Sequence, residues 1–158
     1  MANTQSMCTS FMGELMTATH NFGVAPIRAA TTADTFKAAL YLASATINAS
    51  TTAYSATGEV TGTNYTAGGV SVTNATAPTA TNSSVTAGVA YWTPSASITY
   101  TTVTLSTAFD CVLIYNSTQS NKAVSVHTFG SQTITAGTFT LTMPTNNTTT
   151  ALLRLSTT

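Results

Sequence analysis

Two histidines, two cysteines and four carboxylates are the side chains here whose types suit acid–base, metal or nucleophilic chemistry. His20, His127, Cys8 and Cys111 are the residue types of a four-ligand zinc site, but no CxxC or HxxxH spacing joins them. The acids Glu14, Asp34, Glu59 and Asp110 stand apart, each without a second acid in a shared local motif. Glycoside chemistry needs two such groups converging across a cleft. Asp110 sits in a strand-like run and is expected to form a structural salt bridge with Arg154 or Lys122. Glu59, at the end of a loop, is expected to anchor backbone rather than act as a general base. A serine nucleophile lacks its Gly-X-Ser-X-Gly elbow, and Gly68-Gly69 reads as a turn because no Gly-Lys-Ser/Thr follows. Tyr91 and Trp92 are types that stack on sugars, yet a lone Trp in an uncharged run reads as core or interface. The expectation is therefore no catalytic residue, no metal and no cofactor.

Charge is what the chain lacks. Eight of its 158 residues are formally charged, the net charge is zero, and the stretch from Val60 to Phe109 carries none. At 5% charged residues, against about 25% in typical soluble domains, an ordinary solvated monomer is a poor description. Threonine supplies the polarity, at close to a quarter of all residues. Thr is β-branched and sits well on a pleated surface that is either buried or wet. Such a surface can be covered by other protein without desolvating ions. An apolar content of 43% argues against disorder. Without a basic run, duplex nucleic acid has no electrostatic footprint to find. No apolar run approaches the ~20 residues of a membrane span, and 1–22 lacks a signal peptide's basic and apolar regions. Seven Asn-X-Ser/Thr sequons, from Asn48 to Asn147, arise readily in so Asn- and Thr-rich a chain, and glycosylation is not expected. Cys111, inside an apolar run, reads as a small core residue, and both cysteines are expected to be free thiols.

The elements follow from periodicity. Met7, Phe11, Leu15, Ala18 and Phe22 form one stripe of an α-helix. His20 falls near its end, where a surface or capping role is expected. From Thr35 the period becomes two: Phe36, Ala38, Leu40 and Leu42 alternate with Lys37, Ala39 and Tyr41. Further strands are expected at 70–72, 89–93, 97–105, 109–115, 123–129, 133–135, 138–143 and 151–155. Asn116 to Asn121 joins two of them, and Ala136-Gly137 reads as a tight hairpin. His127 should face solvent or a subunit contact. Residues 76–87 are the least patterned, a loop or an arm over a neighbour. The expected fold is all-β, an antiparallel sandwich or jelly-roll-like domain over 31–158, preceded by a helix and linker over 1–30.

Several segments together resemble a family of tailed-bacteriophage virion proteins. These are Thr9-Ser-Phe-Met-Gly-Glu-Leu15 with His20-Asn-Phe22; Asp34-Thr-Phe-Lys-Ala-Ala-Leu-Tyr-Leu42; and Ala45-Thr-Ile-Asn-Ala-Ser-Thr-Thr-Ala-Tyr54. They continue with Gly58-Glu-Val-Thr-Gly62, Tyr65-Thr-Ala-Gly-Gly69, Leu113-Ile-Tyr-Asn-Ser117, Gly137-Thr-Phe-Thr-Leu-Thr-Met-Pro144 and Leu152-Leu-Arg-Leu155. The resemblance implies a virion structural component with no catalytic residues, made in the host cytoplasm and locked into the particle. Combined with the composition, it suggests a cement or decoration protein bridging major capsid subunits on the head exterior. Self-association, as a homotrimer, would let neutral β edges pair in a closed ring. The Phe11/Leu15/Phe22 stripe is the expected capsid or subunit contact. The alternative is a tail or fibre component that binds the host surface.

Overall fold

The alternation from Phe36 onward does make a strand. The computed structural model describes residues 3–8, 11, 15, 19–20, 22, 33–74, 77–81 and 89–156. Their strands are β1 (Ser6–Met7), β2 (Phe36–Leu42), β3 (Val70–Ser71), β4 (Thr79–Ala80), β5 (Val89–Trp92), β6 (Ile98–Asn116), β7 (Lys122–Leu141) and β8 (Leu153–Ser156). All pairings are antiparallel, in two sheets of order β1-β7-β6-β2-β3 and β4-β5-β8. The all-β class is the one expected.

β6 and β7 dominate, and their joining turn is written in the sequence. Asn116 Oδ1 accepts from the Thr118 and Gln119 amides, both at 3.1 Å. Ser120 and Asn121 then take positive φ, 52° and 58°. An Asx side chain closing such a turn is the usual reason for Asn there. Next to the turn, Leu113 pairs with Val126 and Ile114 with Ser125, while β2 lies along the other side of β6. Successive residues are buried here: Ala38, Ala39 and Leu40, then Val124, Ser125 and Val126, all at 0% exposure. Both faces are therefore covered. Phe36's face meets Phe22 at 4.5 Å between ring centres, and Phe22 meets Trp92 of β5 at 4.7 Å. On the opposite face, Tyr115 stacks on Tyr54 at 4.7 Å.

Several expectations need correction. The helix cannot start at Met7, because Ser6 and Met7 pair with Val126 and Ser125 of β7. Farther along that stripe, Phe11 and Leu15 have helical conformation and Phe22 does not, Ala18 lies outside the described residues, and no continuous helix is defined among the described residues. Across the expected division near residue 30, Cys8, Phe11 and Phe22 belong to the same core as β2 and β6. Strands expected at 97–105 and 109–115 are one strand, as are the three expected between 123 and 143. Ala136-Gly137 is no hairpin. Val103 pairs with Gly137 and Leu105 with Ile134, so β7 has a bulge there, with Ala136 at φ 46°. Within 76–87, β4 is described, whereas 76 and 82–87 lie outside the described residues.

Candidate functional site

The densest polar cluster surrounds Glu59. This residue is only 7% exposed and lies beside β2, where it bridges to Tyr41. The chain from Ala43 to Gly69 folds back over the sheet and returns donors to the carboxylate. Tyr54 donates to Oε2 at 2.6 Å, Tyr65 to Oε1 at 2.7 Å, and the Gly68 amide to Oε1 at 2.7 Å. Two further bonds tie these groups to the strands. The Leu40 amide donates to the Tyr65 hydroxyl at 3.0 Å, and Tyr115 donates to the Gly68 carbonyl at 2.8 Å. Gly69 explains why glycine is needed here. At φ +71° it passes so close to β2 that a Cβ would lie 1.7 Å from the Ala38 carbonyl oxygen.

The electrostatics favour a clamp. Burial, then the hydrogen bond to Glu59, pushes Tyr54 up to about 12 and drives Tyr65 upward as well. Burial likewise raises Tyr41, Tyr100 and Tyr115, with Glu59's charge adding to each. These hydroxyls stay protonated and stay donors. A buried carboxylate costs several kcal/mol unless its hydrogen bonds are made. Three donors meet that need. The backbone-anchoring role expected for Glu59 is met at the Gly68 amide.

A second polar knot lies at the other end of β2. The Asn116 side-chain amide donates to His20 Nδ1 at 3.0 Å and to Asp34 Oδ2 at 2.8 Å. Gln119 adds a bond to Asp34 Oδ1 at 3.2 Å. His20 is thus buried rather than a surface cap, and its ring sits 4.8 Å from Phe11. Its partners lie far off in sequence, so no local pattern announces the contact.

The remaining candidates fall in separate places. His127 is half-buried instead of facing solvent, 2.9 Å from Ser125 Oγ, and burial pulls it down to about 4. Asp110 makes no bridge to Arg154 or Lys122; Asn3 Nδ2 donates to it. Cys8 and Cys111 are buried free thiols, and burial, then Asp110, pushes Cys111 up to about 12. Phe11 and Phe22, expected at a partner surface, are 2% and 6% exposed and pack within this chain. Their rings complete its own aromatic core. Leu15 is half-buried and lines an apolar cleft of about 80 Å³ with Trp92 and Leu155. Among the described residues, no three of His, Cys, Asp and Glu gather as a metal site, and no helix is long and apolar enough to cross a membrane. Sequence reasoning singled out Glu59 but missed Tyr54 and Tyr65. They have no fixed helical or strand spacing to it, because a folded-back loop sets the contact.

No protein-family model, curated protein or solved structure matches this chain.

Proposed function

We propose that the protein is a structural component of a tailed-bacteriophage virion, a cement or decoration protein that bridges major capsid subunits on the head exterior. The observation that carries this reading is the distribution of polarity. Carboxylates are placed in structural hydrogen bonds, and the hairpin segments 98–109 and 123–141 are threonine-rich and carry no charged residue. A surface of this kind suits permanent burial against protein. Attachment repeated around every copy needs only about 800 Å² per partner. The segment resemblance to virion proteins points the same way. The two sheets serve this role as layers of a sandwich, a reading supported by Trp92 of the small sheet lying 6.1 Å from Phe36 of the large one. No catalytic group is required. With Phe11 and Phe22 packed inside, contact falls to the exposed threonine surface rather than to that stripe.

The test is to raise antibodies to the protein, label purified particles with gold, and measure its copy number by mass spectrometry. Hundreds of copies spread over the head are expected. A few to a few tens at the tail would replace this reading by the host-binding one, and absence from particles would overturn both.

A further inference from the structure

We propose that the outer edge of β7 from His127 to Leu141, unpaired among the described residues, is a self-association surface that pairs antiparallel with the same edge of a second copy about a twofold axis. Ser125 and Val126 meet β1, and the Thr128 hydroxyl donates to the Gln5 side chain; beyond these, no strand among the described residues pairs with this side of β7. The opposite edge of the hairpin is covered: Thr63 bridges to Thr104, and Asn64 Nδ2 donates to the Thr102 carbonyl. The asymmetry leaves one long row of outward backbone groups.

Three observations favour a second copy as the occupant. Natural edges are guarded by Lys, Pro, inward-pointing charge or bulges; this one has bulges but no charged residue between Lys122 and Arg154, and Pro144 comes after the strand. Two like edges therefore meet without repulsion. Among the edge strands nothing else matches its length: β1, β3 and β4 have two residues each and β8 four, against the twenty of β7. Size suffices as well. The free edge is roughly 50 Å long at ~3.3 Å per residue, and sheets are ~10 Å thick. The footprint is then about 500 Å² per copy, or roughly 1,000 Å² in total, the lower bound for a specific interface.

Register shifts near Gly130 and Ala136 break the edge into short regular runs. The contact is accordingly a set of short ladders, which closes at two copies and does not run on as a fibre. A twofold near Thr133 brings each Thr133, exposed in the single chain, opposite its mate. This inference stands apart from the virion reading, since pairing occurs between purified copies without any capsid.

Sedimentation equilibrium of the full chain should give twice the 16.2 kDa chain mass at tens of micromolar. Thr133→Lys should weaken self-association at least tenfold with unchanged circular dichroism, because it sets two like charges face to face. Thr133→Glu should do the same, and mixing the two variants should restore the dimer. Amides along 127–141 should exchange with deuterium more slowly in the wild type than in either variant. A wild-type monomer or trimer would overturn the proposal. So would a Thr133→Lys dimer as tight as the wild type, or a folded variant pair that fails to recombine.

Discussion

The two halves of the β6–β7 hairpin share one pair of strands yet follow different rules. Near the turn, the hairpin is flanked by β2 and β1, every residue from Cys111 to Asn116 is buried, and the register shifts once, between Ile114 and Tyr115. Past Cys111 and Thr128, the strands leave that shelter. Only one face stays covered, by Tyr100, Val103, Leu105 and Phe109, and the register shifts at four places. Where neighbours sit on both sides and both faces, a slip would move every side chain to the wrong environment, so register is strongly specified. A ribbon with one covered face tolerates extra residues, and each bulge twists it further. Flanking structure, not strand sequence alone, fixes the geometry. The sheltered half holds the fold together, and the free half is left for contact.

The largest effect should come from breaking the clamp that backs the sheltered half. Glu59→Leu leaves the Tyr54 and Tyr65 hydroxyls and the Gly68 amide without their acceptor. A loss of about 4 kcal/mol is expected, since each orphaned buried donor costs ~1–3 kcal/mol and the tyrosines can partly turn to water. Glu59→Gln keeps one acceptor oxygen and should cost about half as much. Urea denaturation of both variants checks this. Equal and small losses would show that the loop is held by packing alone.

Matched truncations sharpen the comparison directly. Leu113→Ala in the sheltered half, at 0% exposure, should cost about 3 kcal/mol through lost burial and a cavity. Ile134→Ala, half-buried on the free half, should cost about 1 kcal/mol. Chemical denaturation with equal m-values for both variants would make the numbers comparable. Similar costs at the two sites would erase the distinction between the halves.

The sequence made the sheltered half legible and the free half much less so. β2 was readable from its apolar alternation between Phe36 and Leu42, although burial does not alternate there, because both of its faces are covered. The divisions expected within β6 and β7 fall at Ser106–Ala108, Gly130–Gln132 and Ala136-Gly137. Most of these residues lack a counterpart on the other strand, although Gln132 pairs with Phe109 and Gly137 with Val103. A bulge destroys the period of two that marks a strand, so it looks like a turn. The polar knots were partly visible. Glu59 stood out as a structural acid, but His20, Asp34 and Asn116 meet across 82 to 96 residues, and only folding brings them together. The apolar stripe of Phe11 and Phe22 was real as well. Periodicity shows that a face is buried, not whether its cover comes from the same chain.

The smallest effect tests the boundary between the halves, where His127 pairs with Val112. His127 lines an apolar cleft of about 120 Å³ with Ile98, Val112, Ile114, Phe129, Leu141 and Leu152, and no other titratable group lines it. Burial holds the imidazole near pKa 4 against 6.5 for a free side chain. The unfolded chain therefore binds a proton in a window where the folded chain does not, and stability must rise with pH across it. Above about pH 6.5 the full stability is present; as pH falls toward 4 it drops by about 2 kcal/mol, allowing for a half-buried ring. The His127 share is read as the difference from His127→Asn. That variant should have a flatter stability profile between pH 6.5 and 4, measured by urea midpoints. Protonation of His127 also places charge between the free half and its apolar support. Amide exchange in acid should then rise first from Phe129 to Leu141 and only later along Ala123 to Val126. If both stretches open together, the hairpin is one cooperative unit despite its bulges. If His127→Asn keeps the wild-type slope, the acid sensitivity belongs to the carboxylates and not to this boundary.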